Sequence, residues 1–357
     1  MKKPIFLFVL ACMSLAAFGQ FTVKGKVVDA ETKEPLASAS VFAQNTTKGT
    51  TTDRDGEFTL ALDRGGYELI FSFTGYVSTT LSVQRNDGSP LVVELRKAEK
   101  SLDEVVIQSS NEVPDGWEKY GSFFTSHFIG STPFADSCFL MNPEVLKFFY
   151  YKRSDRLKII ATEPLQIVNR ALGYNLRYEL DSFVYHYKTD INSYRGLCLY
   201  AELEGTPEEM NIWKRNREEA YYGSRLHFLR SYYDSTLIQE GFTVSMLLEE
   251  GSTAFGRLTK PYDSTYYFFN DSTEEAELFF PLTVNIGYTK KAPDSSFLAQ
   301  FQLPPDVQIQ NSYVTLSDVI IIKPNGYFFD QRSWINQGYW SWKNIADQLP
   351  YDYSPGD

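Results

Sequence analysis

The stretch Gly49-Thr50-Thr51-Thr52-Asp53-Arg54-Asp55-Gly56-Glu57-Phe58-Thr59-Leu60 decides how the first part of this chain is read. Asp53 to Gly56 predicts a turn, because Asp and Gly reach tight and left-handed conformations at little cost. Phe58 and Leu60 then share one face of an extended segment, since side chains alternate along a strand. Upstream, Phe21, Val23, Gly25 and Val27 alternate with Thr22, Lys24 and Lys26. A turn at Asp29 to Glu34, closed by Pro35, separates them from Ala37, Ala39 and Val41. Downstream, Tyr67, Leu69, Phe71 and Phe73 alternate, Gly75 breaks the run, and Leu81 and Val83 resume it. Asp87-Gly88 turns the chain before Leu91, Val93 and Leu95. Short strands at this spacing with Gly/Asp turns predict a seven-stranded β-sandwich over residues 21–108.

Several segments in order resemble the carboxypeptidase regulatory-like domain. They are Gly25-Lys26-Val27-Val28-Asp29, Glu34-Pro35-Leu36, Ala39-Ser40-Val41, the quoted stretch itself, and Phe71-Ser72-Phe73-Thr74-Gly75-Tyr76. The family has an Ig/transthyretin-like sandwich. It stands beside zinc carboxypeptidases and at the N-terminus of SusC-type TonB-dependent receptors. The resemblance covers residues 21 to about 96 and implies a non-catalytic module that supports or docks. Ser38 stands where the family usually has Gly. Ser101-Leu102-Asp103-Glu104-Val105-Val106-Ile107 is similar to the segment following this domain in those receptors, and is expected as a linker strand. No receptor barrel is expected after it, because repeated ten-residue alternating strands are too few.

Lys2 and Lys3 followed by the apolar run from Pro4 to Phe18 predict a secretory signal peptide over residues 1–20. The run is short for a transmembrane helix, and no later segment is long enough for one. Val9-Leu10-Ala11-Cys12 offers lipidation as an alternative, after a very short run. Export leaves Cys138 and Cys198, for which an oxidising compartment permits a disulfide. The other reading is two half-buried free thiols. The 357 residues suggest two domains. A net charge of −11 argues against nucleic acid, which needs clustered positive charge.

The polar, Pro- and Gly-bearing segment 109–116 reads as a linker, and aromatic residues become frequent after it. Residues 117–357 predict an aromatic-rich α+β domain, so the whole chain is mainly β. Trp117, Tyr120, Phe123, Phe124, His127 and Phe128 recur at helical spacing. Leu146 to Tyr151 and Leu157 to Ala161 read as a hairpin about Ser154-Asp155. Pro164 to Gly173 reads as a short helix with Leu165, Val168 and Leu172 inward. Tyr174, Leu176, Tyr178 and Leu180 alternate in one phase and Phe183, Tyr185 and Tyr187 in the other, which predicts a bulge near Asp181. Leu197 to Leu203 continues as a strand. Pro207 opens a helix carrying Trp213 and Ala220. After Gly223 a second helix carries Tyr222, Leu226, Leu229, Tyr233 and Leu237 as one stripe, stopped by Gly241. Strands and hairpins follow through 242–329, and a last helix is expected from about Trp340 to Gln348.

No motif here carries chemistry. The histidines His127, His186 and His227 sit outside any HExxH, HxxE or HxH spacing, so the zinc half of a carboxypeptidase is missing. No nucleophile elbow, Walker loop, GxGxxG or CxxC occurs. Asp53-x-Asp55-Gly56 begins like a calcium loop but lacks its later ligands. No catalytic residue, metal or cofactor is therefore assigned. The densest polar cluster holds Trp213, Arg217, Tyr221, Arg225, His227 and Arg230. Its Arg217 to Arg230 stretch is similar to uncharacterised exported proteins. It is read either as a cationic, aromatic-lined patch for a glycan or anionic ligand, or as a surface helix whose arginines pair with Glu218, Glu219 and neighbours. The expectation is an exported, non-enzymatic protein of the periplasm or outer membrane, with an envelope protein or outer-membrane complex as partner. A hydrolase acting on envelope peptide or glycan, and a carbohydrate-binding protein, are the alternatives.

Overall fold

Alternating apolar side chains in 21–95 leave one face of most strands to bury, and two sheets packed face to face bury it, with the short Gly49–Thr51 strand at an edge. The strands are β1 (Phe21–Asp29), β2 (Ser40–Ala43), β3 (Gly49–Thr51), β4 (Glu57–Leu62), β5 (Tyr67–Ser72), β6 (Thr79–Val83) and β7 (Leu91–Leu95). One sheet has the order β4-β1-β7 and the other β3-β2-β5-β6, with β1 and β7 parallel. Val23, Val27, Val41, Phe58, Leu60, Leu69, Phe71 and Val93 form the core between them. Gly25 is required where β1 meets β7, since a Cβ there would lie 2.4 Å from the Leu91 carbonyl oxygen. Ser38 has φ +63°, so the position where the family carries Gly keeps its left-handed backbone with a serine. The computed structural model describes residues 21–63, 65–83, 89–98, 111–329 and 333–356. The expected signal peptide, the Asp87-Gly88 turn and the 101–107 strand lie outside the described residues.

The next part pairs a helix with a long antiparallel sheet. It comprises α1 (Gly116–Phe128), β8 (Cys138–Leu140), β9 (Leu146–Tyr151), β10 (Arg156–Ala161), β11 (Leu165–Asn169), β12 (Tyr174–His186) and β13 (Ile191–Glu202). Residues 111–113 of the expected linker hydrogen-bond to β9, through Val113 N–H to Phe148 O and Tyr150 N–H to Asn111 O. The order β8-β11-β12-β10-β9 holds with β13 against the other side of β12. The register of β12 and β13 shifts between Leu180 and Ser182. That bulge puts Leu176, Leu180, Phe183 and Tyr185 all into one core despite their opposite phases.

Two readings are decided in this part, the first as a correction and the second between the alternatives left open. Residues 165–169 form a strand, not a helix. Leu165 and Ile167 enter the core at strand spacing, and the apparent helical triplet of Leu165, Val168 and Leu172 arises because Leu172 lies in the following turn. The second is the disulfide. Cys138 lies opposite Asn169 and Cys198 opposite Tyr178, so β11 and β12 stand between them. Three strand spacings of roughly 4.8 Å each exceed the reach of a disulfide. Both thiols are free and buried.

Helices α2 (Pro207–Tyr221) and α3 (Arg225–Tyr233) follow. Thr206 and Glu209 form a capping box at α2, and Ser224 caps α3 through the His227 N–H. The second helix is shorter than expected, since Ser235 takes φ +59° just beyond it. Its buried residues are His227, Phe228, Leu229, Ser231 and Tyr232, so only Leu229 of the expected stripe is buried within it.

The last part is again sheet-rich. Its elements are β14 (Phe242–Leu247), β15 (Phe255–Arg257), β16 (Tyr267–Asn270), β17 (Glu275–Leu278), β18 (Val284–Tyr288), α4 (Ser295–Gln300), β19 (Gln310–Leu316), β20 (Ile320–Ile322), β21 (Trp334–Gly338) and α5 (Tyr339–Trp342). Sheets β15-β14-β18-β19-β21 and β16-β17-β20 enclose a core of Phe228, Val284, Ile286, Val314 and Phe328. The expected helix from Trp340 to Gln348 stops at Trp342, and only a single 3-10 turn follows at Ile345–Asp347. There the Ala346 N–H bonds the Ile129 carbonyl, tying this segment to the end of α1. Residues 117–357 therefore hold two main cores, one around α1 and β12, the other around α3 and β18.

The sandwich is hydrogen-bonded into the edge of β13. Asn45 N–H donates to Cys198 O (2.7 Å) and Tyr200 N–H to Thr46 O (2.9 Å), a parallel bridge in the manner of an added strand. The C-terminal segment completes the joint, with Tyr351 N–H on Asn45 O and the Asp352 carboxylate on Thr47 N–H.

Candidate functional site

Where three packed bodies meet, their shapes leave space. A cleft of about 2410 Å³ runs between the sandwich turn Phe73–Tyr76, the exposed face of β12 and β13, the start of α3, and the segment from Trp334 to Leu349. It exceeds the roughly 300–1,000 Å³ of a drug-sized pocket, so it suits an extended ligand.

The six residues of the sequence cluster do not gather in this cleft. Only Arg225 lines it. Trp213 is buried, its indole N–H on Arg170 O at 2.8 Å and its ring packed against Gly173 and Gly205. A Cβ on Gly173 would lie 2.3 Å from that ring. Arg217 donates to Leu172 O and Gly173 O, pairs with Glu202 at 2.9 Å, and lies 4.0 Å over the Tyr174 ring. It thus closes the turn between β11 and β12. Tyr221 packs against His227 and Tyr353. Arg230 donates to Asn325 O, Tyr353 O and Tyr351 O. Buried guanidiniums here satisfy carbonyls that helix and strand ends leave unpaired. The expected pairing of the arginines with Glu218 and Glu219 is not what the structure builds: Glu219 pairs with Lys291, and Arg217 with Glu202.

His227 is 2% exposed. Its Nδ1 accepts from Gly223 N–H at 3.1 Å, which leaves the proton on Nε2, 3.2 Å from Glu240. Burial pushes its pKa down to about 4, although Glu240 pulls the other way, so it is neutral at pH 7. The three histidines lie in different elements: α1, the end of β12, and α3. His127 meets Ser126 Oγ at 3.1 Å and the Phe123 carbonyl at 2.8 Å, without a carboxylate. Among the described residues no cluster of three or more His, Cys, Asp or Glu could hold a metal ion. Asp53 Oδ1 is occupied by the N–H groups of Asp55 and Glu57 in its own turn.

The cleft has its own charged and polar groups, which the sequence reading did not single out. Arg177 pairs with Glu179 and Arg195 with Asp181 on its β12–β13 wall. Lys343 and Asp347 stand on the opposite wall. Burial lowers the Lys343 pKa and raises that of Asp347 to about 6, even though Lys343 and the Thr132 hydroxyl favour its charged form. Trp334 lines the cleft as well, and its buried indole N–H has no hydrogen-bond partner among the described residues. The one sequence signal for this wall is the crowding of Trp334, Trp340 and Trp342 into nine residues.

Residues 23–107 match the CarboxypepD_reg-like domain family, so the N-terminal sandwich is a domain of this kind. The chain is 38% identical over 121 residues to the TonB-dependent receptor SusC of Bacteroides thetaiotaomicron, covering 32% of this chain and 12% of the receptor. The chain thus spans about an eighth of the length of that relative. Among solved structures, a streptococcal ancillary pilin aligns at TM-score 0.20 with 21% identity, covering 23% of this chain and 31% of the pilin. A membrane-associated protein of unknown function from Bacteroides fragilis aligns at TM-score 0.19 with 15% identity, covering 45% of this chain and 65% of its own. No helix among the described residues is long and apolar enough to cross a membrane, which leaves β-strands out of account.

Proposed function

We propose that this chain is an exported cell-envelope protein that binds a ligand without transforming it, with the regulatory-like sandwich bracing the binding body. The observation that carries this reading is the joint itself. The sandwich adds backbone hydrogen bonds to the edge of β13, and its Phe73–Tyr76 turn forms one wall of the cleft. Ser78 reaches Glu179 across that wall at 3.3 Å. A module that both anchors and shapes a cleft is a docking brace rather than a detached appendage. The similarity to a TonB-dependent receptor supports placement in the envelope, at the periplasm or outer membrane, beside an envelope protein or outer-membrane complex.

The test is a thermal-shift screen of the purified full chain against envelope peptides and saccharides, followed by mass analysis of each hit after prolonged incubation. A hit that raises the melting temperature and is recovered intact supports the reading. A hit that is cleaved, with cleavage abolished by one side-chain change, replaces it with the hydrolase alternative.

A further inference from the structure

Two features at one end of the cleft are unexplained by folding. The first is the buried Trp334 indole N–H, 94% of whose residue is inaccessible (6% exposed) and which finds no acceptor. A donor stripped of water without a partner is retained against stability. The second is Arg225. Its guanidinium lies 5.4 Å over the Phe328 ring, and among the described residues no carboxylate pairs with it. In the same sequence cluster Arg217 and Arg230 have every role filled by carbonyls or a carboxylate, so Arg225 differs from its neighbours. The Phe328 ring that carries Arg225 also packs on Trp334, with centroids 5.6 Å apart, so the unpaired cation and the unpaired N–H flank one ring.

Carboxamides surround this pair. Asn336, Asn344 and Gln348 line the same end, and Tyr194 on β13 faces them, its hydroxyl 3.4 Å from both Asn344 Oδ1 and Gln348 Nε2. A carboxamide both donates and accepts, as a sugar hydroxyl does, whereas guanidinium and indole N–H only donate. Trp334, Trp340 and Trp342 on this wall are packed into the core rather than offered as flat platforms, which gives a neutral sugar little to stack on there.

We infer that the Arg225–Trp334 end of the cleft binds an acidic saccharide, its carboxylate on Arg225, a ring or carboxylate oxygen on the Trp334 indole N–H, and its hydroxyls on the carboxamides. This rests on the binding reading above and names its ligand class. An acidic peptide would also satisfy Arg225 and could pair its backbone amides with the carboxamides, so triglutamate is the competitor that separates the two ligand classes.

Isothermal titration of the full chain at pH 7 with trigalacturonate, maltotriose and triglutamate tests the assignment. Trigalacturonate is expected to bind at least about tenfold tighter than either competitor. Arg225→Ala should weaken it by about tenfold or more and Arg225→Lys should recover part of the loss, because a point charge replaces a fork. Trp334→Phe should weaken it several-fold when titrated below the variant's melting temperature, which the smaller ring lowers by leaving space against Phe228, Phe328 and Trp340. The assignment is overturned if triglutamate or maltotriose binds as tightly as trigalacturonate, or if Arg225→Ala and Trp334→Phe leave trigalacturonate binding unchanged. Trigalacturonate bound through Arg225 but cut into shorter products would keep the site and overturn the non-enzymatic reading. A ligand held in the cleft independently of Arg225 would overturn the site and keep that reading.

Discussion

Arg230 donates from Nε to the carbonyl oxygen of Asn325 at 3.0 Å, and the Asn325 side chain donates in turn to the Gly66 carbonyl of the sandwich at 3.2 Å. The same guanidinium holds Tyr351 O and Tyr353 O, while Tyr351 N–H bonds Asn45 O. One side chain on α3 thus fixes the C-terminal segment that laces the sandwich to the rest of the chain. Arg230→Ala leaves three carbonyls without their charged donor, a loss of about 2–4 kcal/mol. Arg230→Lys cannot span three acceptors with one ammonium and should recover little. Both variants should melt several degrees lower and be trimmed by protease from the C-terminal end first. Melting and trimming indistinguishable from the parent would remove Arg230 as the clasp.

Stability should depend on pH through two buried groups of opposite sign. Burial pushes His227 down to about 4 from an ordinary 6.5. Between those values the unfolded chain takes a proton that the folded one refuses, so stability present above pH 6.5 is lost as pH falls toward 4. Burial pushes Asp347 up to about 6 from 3.8. Here the folded chain holds a proton that the unfolded one has released, so stability present below pH 3.8 is lost as pH rises toward 6. Each contributes roughly 2–3 kcal/mol, and between pH 4 and 6 they oppose one another. Asp347→Asn should therefore make the melting temperature climb more steeply with pH across that window than in the parent. His227→Gln should make it climb less or fall. Melting curves at half-unit pH steps read both slopes, and parallel curves for parent and variants would refute the assignment.

Local patterns that set one face of an element were legible in the sequence; long-range uses of polar groups were not. The alternation of Phe58 and Leu60 marked β4, and the phase change between Leu180 and Phe183 marked the bulge, because burial of every second residue is written in the chain itself. The same logic misled at Leu165, Val168 and Leu172, whose spacing fits a helix by coincidence of a strand with the turn after it. The partners of the polar cluster are hidden from the sequence for a different reason. Whether Arg217 meets a ligand, a nearby Glu or the carbonyls of residues 172 and 173 depends on which strand turn α2 packs against, and local sequence holds no trace of that. Trp334 was invisible as a site residue because an unpaired indole N–H exists only in the folded chain.

The thiols offer a simple check on the strand order. Burial pushes the Cys138 thiol up to about 12 and the Cys198 thiol well above its usual range. A buried thiol with a raised pKa reacts slowly, because the thiolate is the reacting form. In native protein lacking residues 1–20, Cys138 and Cys198 should label at least about a hundredfold slower than a free thiol, and both should label at once in denaturant without reductant. Two thiols that stay unlabelled in denaturant until reductant is added would mean a bridge, and with it a different order of β8, β11, β12 and β13.

Trp213 separates packing from recognition. Its ring is held between Gly173 and Gly205, and its N–H is already spent on Arg170 O, so neither a face nor a donor is left for a sugar. Trp213→Ala should empty the space under α2 and cost about 3–5 kcal/mol of stability. Gly173→Ala should be destabilising for two reasons, since its φ of +73° disfavours a side chain and its new Cβ would collide with the indole. Trigalacturonate titrated below the melting temperature of each variant should bind as it does to the parent, because neither position touches the cleft. The opposite pattern, with stability kept and saccharide binding lost in Trp213→Ala, would move the binding surface from the cleft to α2. It would also turn Arg217 from a structural clasp into a ligand contact.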